Sequence, residues 1–300
     1  MLEKKYTDLY AKNSKISFIV AEKDIILTYV IEILKRQNLL KRMIFKGGAC
    51  LRKCYLGSET RFSLDLDFNI IGNKGPDDII LEIESIFNKT YFDIFFKVDK
   101  EDIYVSSNKL SCGANINYKH SWHEGSFTLN LSLREESILP IVSKSLIYQS
   151  FFKNLEFQPG NVDCFRFEEL VAEKVRAAYQ RVRARDIDDI VICAKKPINK
   201  EVLRTLVVIK CWNVRDPFHP GKFLKKITTS KYNWYDIKSL LSQDSIIDKE
   251  DLIKKCLRDY NFLTDLTKDE EILINDSKKH NQIILKKKIE NELLKKLKKD

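Results

Sequence analysis

Asp65 and Asp67 stand two residues apart within Arg61-Phe62-Ser63-Leu64-Asp65-Leu66-Asp67-Phe68-Asn69-Ile70-Ile71, where polar and apolar residues alternate. The alternation reads as a strand, and on a strand it sends Asp65, Asp67 and Asn69 to one face. Two carboxylates so placed can share a hard cation such as Mg²⁺, and that cation would bind nucleotide phosphates. Two solvated acids on an exposed sheet face would look the same in sequence. Context favours a site: Leu64, Leu66 and Phe68 imply a buried opposite face, and Gly47-Gly48 precedes the strand. The chain has nine glycines in 300 residues, roughly half the usual 7% share, so an adjacent pair marks a place where backbone turns sharply or passes close to something. A glycine turn opening a helix presents backbone N–H groups and the positive dipole end, a cradle for phosphate. The alternative is a plain strand-to-helix corner without a ligand.

A third group lies far along the chain. Leu170, Val171, Ala178 and Val182 define the apolar face of a helix, yet Lys174 falls four residues from both Leu170 and Ala178, on that same face. A lysine there must reach out to water, pair with an acid, or line a cleft. Asp186 and Asp189 follow on one face of the next helix at i, i+3. Lys174, Arg181 and Arg185 with these two acids make either a salt-bridged scaffold or a cleft facing phosphates.

The elements that must hold these residues can be read from periodicity. An amphipathic helix over 20–34 opens the fold. Met43-Ile44-Phe45 is a strand running into Lys46-Gly47-Gly48, and 49–55 is a short helix. After the Asp65 strand come a helix over 76–88 with Pro76 in its first turn, then strands over 93–98, 109–118 and 126–134. The second half reads as helices over 165–183, 186–194, 200–212 and beyond. We therefore expect an α+β fold with a mixed α/β half at 1–155 and a helical half at 156–300, punctuated by Gln158-Pro159-Gly160-Asn161.

Composition bounds the function. With 44% hydrophobic residues the chain can bury a full core, and a net charge of +10 makes RNA or nucleotides expected partners. Residues 278–300 carry nine lysines against three acids, and Leu285, Ile289, Leu293 and Leu297 give that segment one apolar helical stripe. It is either a solvated packed helix or an RNA-contacting one. No run of about 20 apolar residues occurs, and charges interrupt the first 15 positions, so a soluble, unexported, cytoplasmic protein without a membrane partner is expected. Seven cysteines without a CxxC pair indicate reduced thiols rather than a disulfide framework or zinc ribbon. His120 and His123, in HSWH, read as a solvated turn between strands rather than a metal pair.

Lys46-Gly47-Gly48-Ala49-Cys50-Leu51, the Arg61–Phe68 strand, and Glu173-Lys174-Val175-Arg176-Ala177 leading to Arg185-Asp186-Ile187-Asp188-Asp189-Ile190 together resemble the AbiEii/AbiGii toxin family of nucleotidyltransferases, over about residues 20–195 including Glu22-Lys23-Asp24. The resemblance implies a polymerase-β-like nucleotidyltransferase domain with a small mixed sheet, followed by a helical C-terminal domain that contributes Lys174, Asp186 and Asp189 to the cleft. Carried over by position, Asp65 and Asp67 become catalytic Mg²⁺ ligands. Lys46, Gly47 and Gly48 become the phosphate turn, with Arg61 and Ser63 beside the triphosphate. Lys174 becomes a phosphate-binding cation, and Asp186 or Asp189 an acid that positions it or assists the nucleophile. The implied function is an EC 2.7.7-type, Mg²⁺-dependent toxin that moves a nucleotide from an NTP to RNA, tRNA at its acceptor end being the expected acceptor, in a toxin–antitoxin or abortive-infection system with a cognate antitoxin. The alternatives are a catalytically weakened nucleic-acid or antitoxin-binding protein of the same fold, and transfer to a small-molecule or protein hydroxyl. Two positions depart from the family pattern. Ala49 stands where a Ser or Thr is common, and the strand over 128–134 offers Asn130 and Ser132 where a third carboxylate is common.

Overall fold

Ser17 accepts a hydrogen bond from the Val20 backbone N–H and so starts the helix that organises the first half of the chain. In the computed structural model, which describes residues 2–72, 75–134, 136–276 and 280–297, the chain divides into two units. The first comprises Met1–Glu136, Ile141–Phe165 and Ser239–Ser245, and the second Ser137–Pro140, Arg166–Lys238 and Ile246–Asp300.

The first unit holds helices α1 (Lys4–Ser14), α2 (Phe18–Arg36), α3 (Gly47–Cys50) and α4 (Pro76–Ile86). Its strands are β1 (Met43–Lys46), β2 (Asp65–Ile70), β3 (Thr90–Tyr91), β4 (Ile94–Lys97), β5 (Ile103–Val105), β6 (Ser111–Lys119), β7 (Glu124–Ser132), β8 (Val142–Ser145) and β9 (Asn161–Cys164). They form one mixed sheet in the order β3-β4-β6-β7-β2-β1-β9-β8, with β5 paired to β6. The β2/β7 and β1/β9 pairs are parallel and the rest antiparallel. The expected α+β class holds, and the sheet is larger than the small one expected.

Period-two alternation decides which face is core. Leu66 and Phe68 of β2, Leu129 and Leu131 of β7, and Ala114 and Ile116 of β6 are buried. The Phe45 and Phe68 rings stack at 5.0 Å, and Phe87, just past α4, meets Phe96 edge-on at 5.8 Å. The opposite face carries Asp65, Asp67, Thr128, Asn130, Asn115 and Asn117, all half-buried.

Several expectations change. A helix, α1, precedes the one read as opening the fold, and α2 is buried nearly all round rather than on one stripe, with Glu22 and Asp24 inside. Both acids are partnered: Tyr10 donates to Asp24 at 2.6 Å and Lys53 at 2.7 Å. The HSWH turn is not simply solvated, because His120 and His123 hydrogen-bond the Glu22 carboxylate at 2.8 and 2.9 Å. The strand read over 93–98 is half of a hairpin whose two-residue loop, Phe92-Asp93, has positive φ at both positions, as a tight primed turn requires. The helix after Gly47-Gly48 widens into a π-helix over Leu51–Leu56. Pro159-Gly160 leads into β9, a further strand of the sheet.

Among the described residues the second unit is helical: α5 (Phe167–Gln180), α6 (Ala184–Cys193), α7 (Lys200–Asn213), α8 (Pro220–Thr229), α9 (Tyr235–Lys238), α10 (Lys249–Tyr260), α11 (Lys268–Asn275) and α12 (Ile283–Leu297). Ser137–Pro140 joins it because the buried Glu169 carboxylate accepts from the Ser137 hydroxyl and from the Ile138 and Leu139 N–H groups. Lys210, also fully buried, closes on Glu169 at 2.9 Å. In α12 the stripe read from sequence turns inward at Ile289 and Leu293, while Lys286, Lys288 and Lys296 pair with Glu290, Asp269 and Glu201. Lys278, Lys279 and residues 298–300 of that lysine-rich segment lie outside the described residues. No described helix is long and apolar enough to cross a membrane.

Candidate active site

Register builds the site. Residues paired across a sheet share a face, and one row runs through five strands: Lys46 of β1, Asp67 of β2, Asn130 of β7, Gly113 of β6 and Tyr104 of β5. Asp65 lies one step along the same face, paired with Thr128.

At the end of β1 the chain turns on Gly47, whose φ is +76°. That conformation costs a residue with a side chain, and space also forbids one. A Cβ at Gly47 would lie 2.1 Å from Asp67 Oδ2. A Cβ at Gly48 would lie 3.2 Å from Ser63 Oγ and 3.3 Å from an Arg61 guanidinium nitrogen. The glycine turn is therefore packed directly against the acid strand and the segment leading into it. Arg61 and Ser63 are buried, and Arg61 donates to the Phe62 carbonyl at 3.1 Å. The Lys46 ammonium lies 3.5 Å from Asn69 Oδ1 and 5.7 Å from the Phe165 ring centre. Lys46, Gly47, Gly48, Arg61, Ser63, Asp65 and Asp67 thus gather within one unit.

Asn130 donates to Asp67 Oδ1 at 3.0 Å and accepts from the Tyr104 hydroxyl at 2.6 Å. This neutral relay fixes one carboxylate oxygen of Asp67 while Gly47 backs the other. Burial first, and then the negative charge of Cys112, Asp67 and Asp65, pushes the Tyr104 phenol up to about 12. Tyr104 is therefore a neutral donor at physiological pH. Gly113 makes the relay possible, since a Cβ there would sit 2.7 Å from the Tyr104 hydroxyl. Tyr104 and Gly113 were not singled out from the sequence. A glycine inside a strand was the available signal, because it marks close approach of another group.

Among the described residues, no hydrogen bond or ion pair ends on the half-buried Asp65 carboxylate. Two oxygen-donor acids on one strand face, one oriented by an amide and the other without a partner, suit a hard divalent cation. Gly47, bare of a side chain, leaves the room that the Asp67 carboxylate of that ligand set occupies.

The later motif is built differently. Lys174 of α5 pairs with Asp189 of α6 at 2.7 Å, and Arg181 forks onto Asp186 at 2.7 and 2.9 Å. Lys174 thus takes the acid-paired option among those its sequence position allowed. Glu173, beside it, receives Lys210 and Arg176, both at 3.3 Å.

Comparison with known proteins adds an independent observation. Residues 31–298 match the family described as Nucleotidyl transferase AbiEii toxin, Type IV TA system. No curated protein matches the chain significantly. Among solved structures the chain is similar to MenT4, a nucleotidyltransferase toxin from Mycobacterium tuberculosis, with a TM-score of 0.80 at 20% identity over 98% of this chain and 99% of that one. It also matches JHP933 from Helicobacter pylori, with a TM-score of 0.47 at 20% identity, over 82% of this chain and 96% of that one. The first likeness establishes the fold, and the family match extends over most of the sequence. The chain belongs to the AbiEii family, the nucleotidyltransferase toxins of type IV toxin–antitoxin systems.

Proposed function

We propose that this nucleotidyltransferase uses Mg²⁺ on Asp65 and Asp67 to transfer a nucleotide from an NTP to an RNA hydroxyl, with tRNA as the acceptor, and that a cognate antitoxin restrains it in the cytoplasm. One observation carries the reading: Asp65 and Asp67 share a sheet face, with the Gly47 turn packed against Asp67 so closely that a Cβ would fall 2.1 Å from its carboxylate. The ion supplies charge neutralisation at the phosphates. The chain's own residues do the positioning. N–H groups of the Gly47-Gly48 turn and the Ser63 hydroxyl receive phosphate oxygens, while Arg61 and Lys46 add positive charge. Asn130 holds Asp67 in its ligating orientation and Tyr104 holds Asn130. In-line phosphoryl transfer is chiefly positioning and electrostatics, so these contacts suffice to orient the α-phosphate. Lys174 is proposed as a phosphate-binding cation, and Asp186 and Asp189 as the acids that hold the basic residues of the later motif in place.

A second reading, a weakened enzyme working mainly by binding, is favoured by Asn130, an amide that cannot take up the acceptor's proton. Incubating the full chain with each α-labelled NTP, Mg²⁺ and total RNA separates the two. A labelled band of tRNA length that disappears in D65A supports transfer to tRNA. Label on protein or on a small molecule instead moves the acceptor. RNA retention that weakens with salt and leaves RNA unlabelled supports the binding reading.

A further inference from the structure

The sequence contains seven cysteines and no CxxC pair, yet the fold does not scatter them evenly. All seven are buried. Three of them, Cys50 at the end of α3, Cys54 one turn on and Cys164 at the end of β9, bring their sulfur atoms within 4.8 Å of one another. Cys50 and Cys54 stand at i, i+4, the spacing that puts two side chains on one helix face. Cys164 reaches them because β9 pairs with β1, the strand that leads into the same helix, through Phe45 and Cys164.

We propose that Cys50, Cys54 and Cys164 hold one thiophilic d¹⁰ cation, zinc or copper(I), in a buried three-sulfur site on the helix that begins at Gly47. Three sulfurs around an ion at the usual metal–sulfur distance of about 2.3 Å stand about 4 Å apart. The three therefore need to close by less than about 1 Å, a shift within side-chain rotation. Thiolates select soft ions over Mg²⁺, so this site and the acid pair would not compete for the same metal. Binding releases the thiol protons to solvent and leaves a charge of −1 with zinc or −2 with copper(I). Two neighbours offset that charge. The Tyr55 hydroxyl lies 2.6 Å from the Phe165 carbonyl and 3.6 Å from Cys164 Sγ, so its proton can turn toward a thiolate. The Lys144 ammonium stands 4.6 Å from the Tyr55 ring centre. A bound ion would tie the helix carrying the glycine turn to β9, stiffening the segment on which the phosphate contacts depend.

The test uses the full-length, reduced chain, refolded with zinc, with cobalt(II) as a coloured substitute for zinc, or anaerobically with copper(I). One retained ion per chain, a sulfur-to-cobalt charge-transfer band and a rise in melting temperature are expected. The ion and band should be absent in C50S, C54S and C164S and present in C112S. Y55F, which alters only a neighbour of a ligand, should weaken affinity by roughly 10-fold. If a serine variant does not fold, alanine at the same position is measured instead. A wild-type chain that refolds and retains none of the three metals overturns the proposal, as does equal retention by a variant carrying C50S, C54S and C164S together. Neither result bears on nucleotide transfer, which is read separately.

Discussion

Four carboxylates of the helical unit and Asp65 of β2 are treated in opposite ways. In the helical unit Glu169 is closed by Lys210, Asp189 by Lys174, Asp186 by Arg181 and Glu270 by Arg204. In each pair the carboxylate is buried, so removing its cation leaves a buried charge. On β2, Asp67 is oriented by the Asn130 amide and by the bare backbone of Gly47, and Asp65 has no hydrogen-bond or ion-pair partner among the described residues. Charge spent on a cation from the same chain builds structure, whereas the Asp65 carboxylate, engaged by no cation among the described residues, remains available to a ligand. The contrast singles out Asp65 as the candidate ligand for an added cation without reference to sequence motifs.

The sharpest way to break the contrast is to remove an acid from each region. D65A should lower nucleotide transfer by roughly 1,000-fold or more, since it removes a metal ligand, while stability changes by no more than about 1 kcal/mol; activity and thermal denaturation on the same preparation check this. K210A, in the helical unit, should do the reverse, destabilising the fold by about 3–5 kcal/mol by orphaning Glu169, as denaturant unfolding would show. If D65A instead unfolds the protein, Asp65 is structural and the contrast fails.

Smaller changes sharpen the picture. G47A places a side chain at φ +76° against Asp67 and should cost roughly 1–3 kcal/mol together with most of the transfer activity. Y104F removes a hydroxyl that holds Asn130 and should slow transfer by about 5-fold, the worth of one hydrogen bond near 1 kcal/mol; N130A should be at least as slow. A pH titration gives the last test. Burial alone would raise the Asp24 carboxyl, but Lys53 and Arg52 bring it below its ordinary value. Because the folded value is depressed, the stabilisation is complete above the unfolded value of about 3.9 and is lost as pH falls through the folded one. Melting temperature measured from pH 6 to 2 should fall at the acid end, and D24N should flatten that part of the curve.

Alternation and glycine scarcity made the core of the candidate site readable from the sequence. The spacing of Asp65 and Asp67 needs only the pleat of one strand, and the Gly47-Gly48 turn is local. Register is not local. That Asn130 falls opposite Asp67, and Tyr104 two strands further along the same row, depends on pairings between segments tens of residues apart. Ile103–Val105 is also too short for its alternation to stand out. Lys174 on an apolar helix face left three options open, water, an acid or a cleft, and the packing of α5 on α6 brings it to Asp189. The helix over 4–14 escaped notice because few of its residues are apolar, and α2 looked amphipathic because the partners that neutralise Glu22 and Asp24 come from other elements.

The most direct test of the acid pair is manganese binding followed by electron paramagnetic resonance, with a non-transferable NTP analogue present. The wild-type chain should immobilise the ion in the presence of the nucleotide, and D65N and D67N should lose that signal while keeping wild-type circular dichroism. Undiminished manganese binding in both variants would place the metal elsewhere and contradict the account.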